Sequence, residues 1–196
     1  MDGRRIWAFK GLGVSLVGAI AAISISSARA DSITTAAGTG ADAYVLSSGG
    51  TFGSSSDLLV KNDASGPSDQ FNRKIYLRFD LSQLTSFGHN AGSSSLTLAY
   101  DGNPAQGGLT WNFTDASFTY ELFGLKDGTA GDLNSGWTES GITWSTAPAN
   151  TTTNGTSFNS TLATDLGSAT IPLKPSAGAT LTFSSAALTL QRYSSF

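Results

Sequence analysis

The 196-residue sequence predicts an all-β fold, a jelly-roll-like β-sandwich. Three observations carry this. Asn72–Leu81, NRKIYLRFDL, alternates apolar and polar side chains with period 2, which marks a strand with two unlike faces. Shorter alternating runs recur along the chain, divided by turns rich in Gly, Pro and Asn. No segment after residue 30 carries the apolar periodicity of a helix. Two packed sheets are the usual way such strands cover one another.

The first thirty residues read as a secretory signal peptide. Arg4, Arg5 and Lys10 form a basic start, Gly11–Ser27 an apolar and small-residue run, and Ala28-Arg29-Ala30 a cleavage signal. A transmembrane anchor explains this run less well, because Ser15 and the Ser-rich end dilute a stretch already short for spanning. Residues 31–196 then form one exported module, long enough to bury a core.

Next come the strands. Ala41–Leu46 is a short one, followed by a Gly/Ser turn region around Thr51-Phe52-Gly53. Asp57–Asn62 is a second, closed by a loop with Gly66 and Pro67. Asn72–Leu81 is central, with Ile75, Leu77 and Phe79 expected inward and Lys74, Tyr76 and Arg78 outward. Ser93–Asp101 alternates Leu96, Leu98 and Tyr100. Leu109–Gly124 is one long strand or a hairpin. A turn at Ser140-Gly141 lets Trp137 and Trp144 pack inward, with Glu139 placed to cap it. Asn150–Thr156 is too poor in apolar residues to pack. Two last strands run near Leu166–Leu173 and Ala179–Phe183. The ending LTLQRYSSF leaves the expectation that the last strand or strands are missing through truncation or a frame shift.

Composition excludes several functions. There is no cysteine, so thiolate nucleophiles, zinc–thiolate sites and disulfides are all ruled out. Removing the leader takes away Arg4, Arg5, Lys10, Arg29 and Asp2. Seven basic and 13 acidic side chains remain, a net charge of −6. Such a domain lacks the electrostatic footprint of a nucleic-acid binder.

Three pieces in order resemble the DNRLRE domain, also classed as family-96 carbohydrate-binding modules. They are DAYV (Asp42–Val45) with FGSSSDLLVKN (Phe52–Asn62), FNRKIYLRFDLS (Phe71–Ser82), and WTESGITWSTAP (Trp137–Pro148). The family pattern runs on past the end of this chain into a segment that closes the sandwich. The resemblance implies a β-sandwich module of secreted bacterial polysaccharide-active enzymes and surface proteins. It implies binding of acidic glycans such as alginate, without catalysis.

The residues offer a matching candidate site. Lys61, Arg73, Lys74 and Arg78 are four of the seven cations left after cleavage, within eighteen residues. Arg presents a planar fork to a carboxylate and Lys a compact charge. Tyr76 is placed to stack on a sugar ring between Lys74 and Arg78. Arg73 lies in the inward phase, where a structural ion pair under a loop is the expected role. A solvated strand face partnered by Asp80 explains the same residues, and such surface pairs contribute only about 0–1 kcal/mol.

Other chemistry is thinner. His89 is the only histidine and no G-x-S-x-G elbow occurs. Glu121 and Glu139 are the only glutamates, which leaves a paired-carboxylate hydrolase little to work with. A lyase would need Arg73, Tyr76 and His89 brought together. No cofactor is required. A structural calcium among Asp42, Asp57, Asp63, Asp69 and Asp80 has the right oxygen chemistry but no EF-hand spacing. The expectation is a secreted, monomeric, non-catalytic module for alginate- or pectate-like polysaccharide, with a non-binding adhesive or structural surface domain as the alternative.

Overall fold

The structure is a computed structural model, and it describes residues 32–61, 71–83, 94–101, 117–126, 137–153, 157–172, 175–184 and 188. The chain divides into two units, Met1–Ala30 and Asp31–Phe196. The expected signal peptide lies outside the described residues. So do Asp63, Asp69, His89, Trp111 and the chain end.

The fold class is the expected one: all-β, with antiparallel ladders. The strands are β1 (Ala41–Leu46), β2 (Arg73–Arg78), β3 (Ser95–Ala99), β4 (Ser117–Leu125), β5 (Ala163–Pro172) and β6 (Thr180–Ser184), with a 3-10 turn at Leu81–Gln83. They pair as β1–β2, β3–β6 and β4–β5. Of the strand expected over Asp57–Asn62, Asp57–Val60 is not a strand, and among the described residues only Lys61 joins a ladder, bridging to Arg73 on the side of β2 away from β1.

Two apolar clusters hold the fold. In the first, Leu96 and Leu98 of β3 and Leu181 and Phe183 of β6 meet Phe118, Tyr120 and Leu122 of β4 and Ile171 of β5. Period-2 alternation directs these side chains to one face, and Ser and Thr occupy the other. Thr97–Thr182 and Thr119–Thr170 are hydroxyl pairs on those outer faces.

The β4–β5 register shifts between Leu122 and Phe123. The extra residue lies on β5, where Gly167 takes φ 115° and its N–H donates to Asp165 Oδ1 at 2.8 Å. That conformation suits glycine. The alternation of β4 itself is unbroken, so Phe123, next to Leu122, faces the opposite side. Phe123 therefore packs on Phe158, with centroids 4.9 Å apart, at the edge of the second cluster. That cluster joins Ala41, Ala43 and Val45 of β1 to Tyr76, Trp137, Ile142, Trp144 and Ala147.

Candidate functional site

The alternation of the central strand is present but its phase is the reverse of the expectation. Lys74 and Tyr76 are only 6% and 4% exposed, while Ile75 and Leu77 are half-buried. Cross-strand pairing fixes the faces. Tyr76 opposes Ala43 and Lys74 opposes Val45, so both point into the β1 core row.

The cause lies in the Trp137–Pro148 stretch. Gly141 and Ile142 both donate backbone hydrogen bonds to the Thr138 carbonyl, reversing the chain. Both tryptophans then turn inward onto the even face of β2, as expected for core anchors. Two indoles supply more apolar area than Ile75 and Leu77, and they dictate which face is sealed.

Burying Lys74 requires partners. Its ammonium donates to Asn150 Oδ1 and to the Ser157 carbonyl, each at 2.7 Å. It also lies 4.9 Å from the Trp144 ring centroid and 4.7 Å from that of Phe158. Burial lowers its pKa to about 8; the two oxygens and two ring faces act the other way, holding the charge. Asn150 is thus an anchor, although its stretch looked too polar to pack. Its Nδ2 also donates to the Trp144 carbonyl at 2.6 Å.

Tyr76 meets Trp137 and Phe158 edge-on, with centroids 6.2 and 6.1 Å away, and its hydroxyl donates to the Pro148 carbonyl at 3.2 Å. Burial pushes its phenol well above the ordinary tyrosine range. The outward sugar-stacking position expected for Lys74 and Tyr76 is therefore corrected: both are core residues.

Arg78 ends the same row at the rim. Its Nε donates to the Thr39 carbonyl at 3.0 Å, its Nη1 to the Trp137 carbonyl at 2.9 Å, and its guanidinium lies 5.1 Å from the Trp137 ring centroid. The half-buried side chain forms one wall of an open depression of about 340 Å³, completed by Gly40, Ala41, Thr138, Glu139 and Ser140. A second depression of about 250 Å³ shares Glu139 and Ser140 and adds Thr51, Gly53 and Ser54. Hydroxyls, one carboxylate and one guanidinium line this surface.

Glu139, expected to cap its own turn, instead reaches across to β1. Its Oε1 accepts from the Asp42 N–H at 3.0 Å, pinning the tryptophan turn to β1. A Cβ on Gly53 would stand 2.2 Å from the Glu139 carbonyl oxygen, so only glycine lets the 51–54 turn close on this wall. Sequence reading missed these two contacts, which join stretches 86 and 97 residues apart; only the glycine, inside a turn, left a local trace.

Arg73 and Lys61 lie elsewhere. Arg73 is on the opposite face of β2 from Lys74 and Arg78, in line with Leu46 and beside Tyr44. Tyr44 is covered by Phe52, with rings stacked at 4.4 Å. Arg73 was expected in an ion pair. Its hydrogen bond instead goes from Nη1 to the Phe71 carbonyl at 3.4 Å, and its buried Nε has no partner. The Lys61 ammonium lies 5.1 Å from the Phe71 ring centroid. The five expected cationic and aromatic residues are thus divided between two faces.

The calcium candidates among the described residues, Asp42, Asp57 and Asp80, have protein partners. Asp42 accepts from the Thr35 hydroxyl and Asp57 from the Ser56 hydroxyl. Asp80 accepts from Thr39 N–H and from both N–H and Oγ of Ser82, which hold its pKa at about 2. Among the described residues no group of three or more His, Asp or Glu is placed to hold a metal ion.

Residues 33–120 match the family model of carbohydrate-binding module family 96. That span takes in the first two pieces of the resemblance and all five candidate residues. The match supports a carbohydrate-binding module. No curated protein and no solved structure matches the chain.

Proposed function

We propose that this chain, whose residues 33–120 match family 96, is a secreted, non-catalytic module that holds acidic polysaccharide of the alginate or pectate kind. One observation carries the reading: Arg78 walls an open, hydroxyl-lined depression and is held rigid there by two carbonyl oxygens and an indole face. A guanidinium fixed in advance loses little freedom when it meets a carboxylate or sugar hydroxyl. Glu139, Thr138 and Ser140 in the same depression suit the remaining hydroxyls of a uronate ring. Lys74 and Tyr76 contribute from beneath by fixing the strand that carries Arg78.

Calorimetry with alginate, polygalacturonate and neutral glycans tests this. Folded protein is expected to bind the acidic polymers more tightly than the neutral ones, and Arg78→Gln to weaken that binding about tenfold or more. Failure to bind any acidic polymer would remove the proposal. The second reading, a structural or adhesive surface domain without sugar affinity, is favoured by the use of Lys74 and Tyr76 in packing.

A further inference from the structure

We propose that the second depression, walled by Thr51, Ser54, Glu139 and Ser140, is a subsite for a sugar without a carboxylate, so that the module selects polymers in which acidic and neutral residues alternate; this rests on the acidic-polysaccharide reading above. The two depressions share Glu139 and Ser140 but differ in charge. Arg78 lines the first, where its guanidinium offsets the Glu139 carboxylate. The second is lined by Thr51, Gly53, Ser54, Glu139 and Ser140, with no Lys or Arg among them. A uronate seated there would bring its own carboxylate against Glu139 with no cation between. Repulsion of this kind excludes a ligand as attraction selects one.

A neutral pyranose meets no such repulsion and finds hydrogen-bond partners. Glu139 Oε1 accepts from the Asp42 N–H at 3.0 Å, which fixes the carboxylate, while its Oε2 has no partner among the described residues. An ionised carboxylate only accepts, and the bonds it takes from hydroxyls are of the stronger, charge-assisted kind. The hydroxyls of Thr51, Ser54 and Ser140 both donate and accept, which suits the remaining oxygens of the ring.

The walls are in place before a ligand arrives. The 51–54 turn lies so close to Glu139 that a Cβ on Gly53 would stand 2.4 Å from the Glu139 Cβ as well as against its carbonyl. A site fixed in this way loses little freedom on binding. Because the depressions adjoin along one wall, a polymer that crosses it sets consecutive residues in unlike surroundings, one beside a guanidinium and the next beside a carboxylate.

Calorimetry on the full chain with two oligomers of equal length tests the assignment, one of galacturonate alone and one alternating galacturonate with rhamnose. The wild type is expected to bind the alternating oligomer about tenfold more tightly. Glu139→Gln keeps an oxygen for the Asp42 N–H and removes the charge, so it should bind the galacturonate oligomer more tightly than the wild type does and lose the preference. Thr51→Val/Ser54→Ala should weaken binding of the alternating oligomer about tenfold and leave that of the galacturonate oligomer unchanged. Should Glu139→Gln not fold, the double variant decides by the same comparison. Equal affinities or tighter binding of the galacturonate oligomer in the wild type, or an unchanged preference in either folded variant, overturns this subsite while the acidic-polysaccharide reading stands. No binding of either oligomer by the wild type overturns both.

Discussion

The Lys74 ammonium lies 4.9 Å from the centroid of the Trp144 ring, inside the core rather than on the surface of the sheet. Its stem and charge fill the space between Trp144 and Phe158, and its donors satisfy Asn150 and Ser157. Lys74→Ala removes all of this together, leaving a cavity and two carbonyl oxygens without their donor. The expected loss is about 2–4 kcal/mol of unfolding free energy, read by denaturant titration. Lys74→Met, which keeps the stem, should lose less. If Lys74→Ala unfolds at the wild-type midpoint, the ammonium is not a core anchor.

The same group makes stability depend on pH with a definite sign. Lys74 titrates near 8 when folded and near 10.5 when free, so between these values the unfolded chain binds more protons and stability rises with pH. The gain is on the order of 1 kcal/mol after screening by nearby water. The phenols act oppositely. Burial raises Tyr76, Tyr44 and Tyr120 above the ordinary value of 10, so stability they contribute is lost as pH climbs beyond it. Unfolding free energy should therefore increase from pH 8 to about 10 and fall above. Lys74→Met should lack the rising limb; a rising limb retained in that variant would assign it to another group.

Tyr76 isolates the worth of one hydroxyl. Phe at this position keeps the edge-on contacts with Trp137 and Phe158 and loses only the hydrogen bond to the Pro148 carbonyl. Tyr76→Phe should destabilise by about 1 kcal/mol. Glycan affinity should stay at the wild-type level, because the hydroxyl is spent on the protein. A selective loss of sugar binding in a fully stable Tyr76→Phe would return this residue to the ligand.

Much of this was legible in the residues. β1 matches its expected span, and the alternation of Leu96–Leu98, Phe118–Tyr120–Leu122 and Leu181–Phe183 gave strands whose apolar sides meet as period 2 requires. Trp137 and Trp144 were readable as core anchors. The phase of β2 was not. Lys-x-Tyr-x-Arg looks like a wet face because local pattern counts charge as exposure. Here Trp144, Phe158 and Trp137 make ammonium and guanidinium compatible with burial, and they lie 59 to 84 residues away. The Glu139 bond to β1 is equally nonlocal.

Acid should act through Asp80. Its carboxylate is held near pKa 2 by hydrogen bonds from Ser82 and Thr39, below the ordinary 3.8. A depressed acid contributes stability above its free pKa and loses it as pH falls through the folded one. Asp80→Asn should flatten the wild-type decline between about pH 4 and 2 in acid titrations followed by tryptophan fluorescence. An unchanged acid limb would show that these bonds do not distinguish folded from unfolded chain.

Gly53 tests whether the depression beside Arg78 depends on its far wall. An added methyl would meet the Glu139 backbone, with its oxygen at 2.2 Å and carbonyl carbon at 2.3 Å, and neither can swing aside as a side-chain tip would. Either the 51–54 turn lifts away or the Trp137–Trp144 turn shifts, carrying Glu139 off the Asp42 N–H. Overpacking of this kind typically costs about 1–3 kcal/mol. Gly53→Ala should lower the thermal midpoint and also weaken acidic-glycan binding, while Gly49→Ala, where a Cβ meets nothing within 4 Å but φ is +96°, should show strain without the binding loss. Equal binding losses in the two variants would mean that general destabilisation, and not the shape of this wall, sets the affinity.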